Sequence, residues 1–124
     1  MPTPSFLFSI PGPLKAQSTV FELKNRLDWG EPALTIIDVR SRDAFNSSHI
    51  TGAILISMDE LVVSASASLG YERDIYVYGD SDEQAAEAAS KLREIGFQNV
   101  SELTGGLAAW NAANGAIEGV LVAA

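Results

Sequence analysis

The sequence predicts a single α/β domain with a mainly parallel sheet and helices on both faces. Three observations carry that expectation. Short apolar, β-branched or aromatic runs recur at residues 34–39 (LTIIDV), 53–56 (AILI), 75–78 (IYVY) and 100–103 (VSEL). Most are nearly continuous rather than alternating, as strands covered on both faces are. Segments with helical spacing and capping residues stand between them, and strands that alternate with helices pair in parallel.

Taken in order, residues 1–17 read as an extended arm, because Pro2, Pro4, Pro11 and Pro13 each fix φ and bias the preceding residue away from helix. Thr19 and Glu22 form a capping box, and Val20, Leu23 and Leu27 share one face of the helix that follows. That helix should stop near Trp29-Gly30, before Pro32. Asp38 and Arg40 fall at the carboxyl end of the first strand, where open α/β sheets place ligands. Residues 41–45 suggest a short helical turn, Thr51-Gly52 a turn, and 53–56 a second buried strand. Ser57 with Glu60 looks like another capping box, opening a short helix through Val63, with residues 64–70 as loop.

The strand at 75–78 turns through Gly79-Asp80 and enters a helix at Ser81, with Gln84 completing a third capping box. Ala85, Ala88, Ala89 and Leu92 are its buried stripe, Gly96 its left-handed C-terminal stop, and Phe97 packs back on its last turn. After the strand at 100–103, Gly105-Gly106 turns into a last helix over 107–114 containing Trp110. Residues 115–124 form a small apolar tail, read as an edge strand, a linker or a frayed end. The organisation expected is an arm (1–17), one domain (18–114) and a tail (115–124).

Composition narrows the function classes. Eight basic and sixteen acidic residues give a net charge of −8, which disfavours polyanionic partners: no nucleic acid and no anionic membrane are expected. No run approaches the about 20 apolar residues that span a bilayer. The apolar run at residues 6–10 is short and lacks a basic flank, so a signal peptide is not expected and the protein reads as soluble and cytoplasmic. The chain has no cysteine. Disulfides, thiolate metal sites and cysteine nucleophiles are therefore excluded.

Three stretches resemble the rhodanese-like, or sulfurtransferase-homology, domain family. Residues 36–57 (IIDVRSRDAFNSSHITGAILIS) are similar to its early signature, residues 74–78 (DIYVY) to the strand entering its active loop, and residues 85–110 to the helix after that loop and the G-F-x-x-V and G-G-x-x-x-W segments. The resemblance implies a three-layer fold with about five strands in the sheet. It also implies a loop at the start of the second long helix whose backbone N–H groups and helix dipole lower a thiol pKa and hold a persulfide. Counting back from Ala88-Ala89 and Leu92, the thiol position falls on Gly79, and the loop is Gly79, Asp80, Ser81, Asp82, Glu83 and Gln84.

That loop keeps its length and lacks its nucleophile. Three of its six residues are acids, and each like-charge contact with thiosulfate or a persulfide would cost about 1–4 kcal/mol. Ser48 before His49, and Ser57, are smaller departures from the family pattern. The expectation is a non-catalytic, binding or regulatory domain with a vestigial active loop, a mouth lined by Asp38 and Arg40, and a protein partner. No cofactor and no metal are expected: Asp80 and Asp82 have D-x-D spacing without the downstream Gly and Glu of a calcium loop. Ser81 is explained as a helix cap, His49 as a turn support, and Trp29 and Trp110 as packing residues. Two alternatives stand beside this: an enzyme that keeps a different chemistry at the same pocket or handles sulfur there with a partner's thiol, and a purely structural or oligomeric role for the arm and tail.

Overall fold

The computed structural model describes residues 14–30 and 33–119. Its elements in chain order are β1 (Gln17–Ser18), α1 (Val20–Asp28), β2 (Leu34–Asp38), α2 (Arg42–Ser47), β3 (His49–Ile50), β4 (Ile54–Leu55), α3 (Leu61–Ser68), β5 (Asp74–Tyr78), α4 (Asp82–Glu94), β6 (Asn99–Leu103), α5 (Gly106–Ala112) and β7 (Ile117–Glu118). Five strands form an all-parallel sheet in the order β1-β6-β5-β2-β4. The three-layer α/β fold expected from the sequence is the fold observed.

Alternation along the strands builds two cores. Ile37, Ile75, Val77 and Val100 face Leu61 and Ala65 of α3 and Ala88, Ala89 and Leu92 of α4. Ile36, Tyr76, Tyr78 and Leu103 point the other way, toward Val20 and Leu23 of α1 and Trp110 of α5. With both faces covered, the central strands have no polar face, which is why their sequences read as apolar runs. Three of the four alanines on α4 (Ala85, Ala88 and Ala89) are buried, so that helix turns mostly small side chains inward.

The helix ends follow local chemistry. Both halves of the Thr19–Glu22 capping box form: the hydroxyl accepts from Glu22 N at 3.1 Å and the carboxylate accepts from Thr19 N at 3.0 Å. At the far end of α4, Gly96 adopts φ +109°, the Phe97 N–H reaches Leu92 O at 3.1 Å, and the Gly96 N–H reaches Arg93 O at 3.1 Å. This paired C-terminal motif returns Phe97 to the core beside Leu92.

Several expectations need correction. The Ser57–Glu60 box does not form. Glu60 itself caps α3 without a side-chain bond, Ser57 contributes only its carbonyl to a turn, and the helix runs on through Ser68. Burial of Leu61 and Ala65, one helical turn apart, outweighs the turn preference of the interspersed serines. Strand β4 is shorter than residues 53–56 and lies at the sheet edge, leaving Ile54 40% exposed. Trp29 caps the end of α1 at 76% exposure instead of packing, whereas Trp110 is buried and donates Nε1–H to Ala116 O at 2.8 Å.

The segments read as arm and tail both contribute structure. Gln17, the last residue of the 1–17 segment, opens β1, and Ser18 joins that strand to β6 by a buried hydroxyl contact with Ser101 of 2.5 Å. Residues 117–118 of the tail pair antiparallel with His49–Ile50 in a separate two-stranded ribbon. Residues 1–13 and 120–124, the rest of those two segments, lie outside the described residues.

Core and surface should separate cleanly on mutation. Leu92→Ala, at a fully buried position, should cost about 2–5 kcal/mol in urea denaturation. Val63→Ala, at 74% exposure on α3, should stay within about 0.5 kcal/mol of the parent.

Candidate functional site

The loop read as the vestigial site lies where the central strand β5 meets α4. Ser81 takes extended backbone angles and its hydroxyl accepts from Gln84 N at 3.1 Å, while Ala85 N reaches Ser81 O at 3.1 Å. The expected reciprocal bond from Gln84 to Ser81 N is shifted by one residue. The Gln84 carboxamide oxygen accepts from Asp80 N at 2.7 Å. Gln84 thus folds back over the loop rather than closing a standard box.

A cavity of about 200 Å³ opens beside the loop, lined by Gly79, Asp80, Ser81 and Asp82 on one side and Leu103, Gly105 and Gly106 on the other. No basic residue lines it. Asp82 closes one end, its carboxylate accepting from Gly105 N at 2.9 Å. Gly105 and Gly106 sit at φ +80° and +52°, left-handed angles that favour glycine. The sequence marked this pair only as a turn. Its place on the cavity wall follows from β5 lying next to β6, which brings the loops after the two strands together.

Asp38 and Arg40 are not on that wall. Asp38 is fully buried and paired with Tyr78 across the β2–β5 register. Arg40 grips it: Nε lies 3.0 and 3.1 Å and Nη2 2.7 Å from the carboxylate oxygens, and the Arg40 backbone N–H adds a bond of 2.8 Å. Arg40 Nη2 also donates to Ser48 O at 2.6 Å, and the guanidinium stands 5.5 Å from the Tyr78 ring centre. Burial opposes charge on Arg40, but bonding and attraction from Asp38 outweigh it and hold the group above its ordinary value. Burial first, and then Asp38, push the Tyr78 hydroxyl well above its ordinary value. It stays neutral and accepts from Ile50 N at 3.1 Å. These residues pin β3 to the sheet end instead of presenting charge to a ligand.

His49 takes a similar supporting position. Its Nδ1 lies 2.7 Å from Phe45 O, and its ring stacks on Phe45 at 3.7 Å. Among the described residues, no three His, Asp or Glu side chains are grouped so as to hold a metal ion, and no helix is long and apolar enough to cross a membrane. A roomier hollow of about 690 Å³ lies at the other end of the sheet, by Arg26, Arg73 and Asp74. Its arginines are committed to the fold: Arg26 to Asp74 at 2.8 Å, and Arg73 to Thr35 Oγ1 and Leu34 O at 2.8 and 3.0 Å.

A parallel sheet covered on both faces, whose central strand opens into a short loop over a helix N-terminus, defines a three-layer α/β domain, here in a chain without a thiol. The chain belongs to the rhodanese-like domain family, whose model matches residues 19–113. It is 35% identical over 91 residues to the probable adenylyltransferase/sulfurtransferase MoeZ of Mycobacterium tuberculosis, covering 72% of this chain but only 23% of that protein. It is 32% identical over 82 residues to the thiosulfate sulfurtransferase GlpE of Shewanella oneidensis, covering 66% of this chain and 80% of that one. Among solved structures, the Alr3790 protein from Anabaena sp. superposes with a TM-score of 0.82 at 54% identity, covering 85% of this chain and 94% of that one.

The ion pair gives a direct test. Arg40→Ala leaves the buried Asp38 carboxylate without its partner and should lower stability by about 3–5 kcal/mol in urea denaturation. Lys24→Ala, which removes only an exposed pair with Asp28, should cost less than about 1 kcal/mol.

Proposed function

We propose that this chain is a non-catalytic rhodanese-like domain acting as a binding or regulatory module for a protein partner, with residues 79–84 as a vestigial active loop. The observation that carries this reading is Gly79 at the mouth of β5, in a chain that has no cysteine anywhere. The loop next to it is ordered by its own groups, and its acids Asp80, Asp82 and Glu83 are exposed. An acidic loop on an acidic protein suits a basic protein surface better than thiosulfate or a nucleic acid.

The relatives named as sulfurtransferases supply the competing reading, in which the domain handles sulfur with a thiol brought by a partner. Activity separates the two. The purified chain should give background turnover of thiosulfate and cyanide, both alone and with an added small thiol; turnover above a heat-inactivated control would overturn the non-catalytic reading. Gly79→Cys should stay below about one-tenth of the activity of a thiol-bearing relative assayed beside it. Two like-charge contacts among Asp80, Asp82 and Glu83, each at about 1–4 kcal/mol, already correspond to a loss of more than that. Recovery to the relative's level would show that the acids do not matter.

A further inference from the structure

Gly79 and Gln84 fit together in a way that neither position reveals alone. A Cβ built on Gly79 would fall inside contact distance of Gln84 Oε1 and 3.0 Å from both Cγ and Cδ of the same side chain. The carboxamide therefore fills the space that any side chain at position 79 would enter. Its oxygen also accepts the Asp80 N–H at 2.7 Å, a donor beside the partly positive end of α4. The cavity beside the loop is lined by Gly105 and Gly106 and not by Gln84.

We propose that Gln84 is an internal ligand of this loop: its carboxamide oxygen takes both the volume and the N–H donor that a reacting thiol or a bound anion at position 79 would use. The inference deepens the non-catalytic reading and rests on it only for the place of the lost nucleophile. An amide oxygen suits the task, because it accepts from a backbone N–H without adding a fourth negative charge to the loop. A carboxylate there would add to the repulsion between Asp80, Asp82 and Glu83. The fit also requires glycine at 79. A larger residue pushes the Gln84 carboxamide aside, since the atoms it meets are the far end of a flexible side chain, and the two then contend for the Asp80 N–H while the backbone stays. Residues 79 and 84 are then coupled, because both side chains reach for the same space and the same N–H donor.

A cysteine-free chain makes the test clean, because a thiol placed at 79 is the only one present. Gly79→Cys and the double variant Gly79→Cys/Gln84→Ala are alkylated with iodoacetamide, a neutral reagent, across pH. In the single variant the thiolate competes with the carboxamide for the Asp80 N–H; in the double variant it does not. The alkylation midpoint should lie about one pH unit lower in the double variant, because N–H bonds to a thiolate favour its charged form. Amide exchange supplies a second readout that needs no cysteine. Gln84→Ala should speed exchange of the Asp80 N–H at least ten-fold, while the Ala85 N–H, held by Ser81 O, stays within two-fold. Coincident alkylation midpoints, or unchanged Asp80 exchange, would overturn the internal-ligand assignment. Either result would leave the non-catalytic reading intact, since that reading fails only on turnover by the natural chain.

Discussion

The in-register pairing of β2 with β5 is the constraint on which the rest of the molecule depends. It aligns five residue pairs from Leu34↔Asp74 to Asp38↔Tyr78. It sets which side chains enter each core, because a shift of one residue would exchange the two faces. The pairing also decides where both strands stop. At that end Asp38, Tyr78 and Arg40 lock into one buried group, and Val39 N reaches Tyr78 O at 3.1 Å. The loop that begins at Gly79 therefore leaves the sheet from a fixed point, directly beneath the N-terminus of α4.

The polar groups at this sheet end divide into two sets with different tasks. The first set is buried, ionic and structural. Asp38 and Arg40 satisfy one another and reach Ser48, and Tyr78 reaches Ile50, so the chain around β3 is held against the sheet. Such a group is costly to break and gains little from solvent. The second set belongs to the loop, with Ser81 and Asp82 exposed and Gln84 half-buried: each bonds a backbone N–H that a helix start or a tight turn would otherwise leave unpaired. A loop built for a reacting anion would leave such donors facing outward. Here they are turned onto the chain's own oxygens.

Much of this was legible beforehand because it depends on local chemistry. The Thr19–Glu22 box, the Ser81 cap and the Gly96–Phe97 helix end each involve residues within five positions of one another, and all formed. The central strands were legible from their apolar runs, since cover on both faces leaves its mark on every residue. What escaped depended on distant partners. Helix α3 outran its expected end because Ala65 meets α4, and β3 became a strand only by pairing with residues 117–118. Asp38 and Arg40 looked like the lining of a mouth because their position at a strand end is shared by ligand groups and ion pairs alike. Only the geometry between them distinguishes the two.

The sequence by itself determined the layered α/β fold, the Thr19 and Ser81 caps, the turn from β5 through Gly79-Asp80 into α4 and the absence of any thiol, because these follow from periodicity, short-range bonding and composition. The tertiary structure alone decided that Gly105 and Gly106 form the far wall of the cavity, that Asp38 faces Arg40 rather than solvent, and that Gln84 lies in the space left by Gly79. The physical reason is range. A cap or a strand is chosen by neighbours in the chain, but the contents of a cavity are chosen by which strands lie side by side and by where a flexible side chain finds its hydrogen bond.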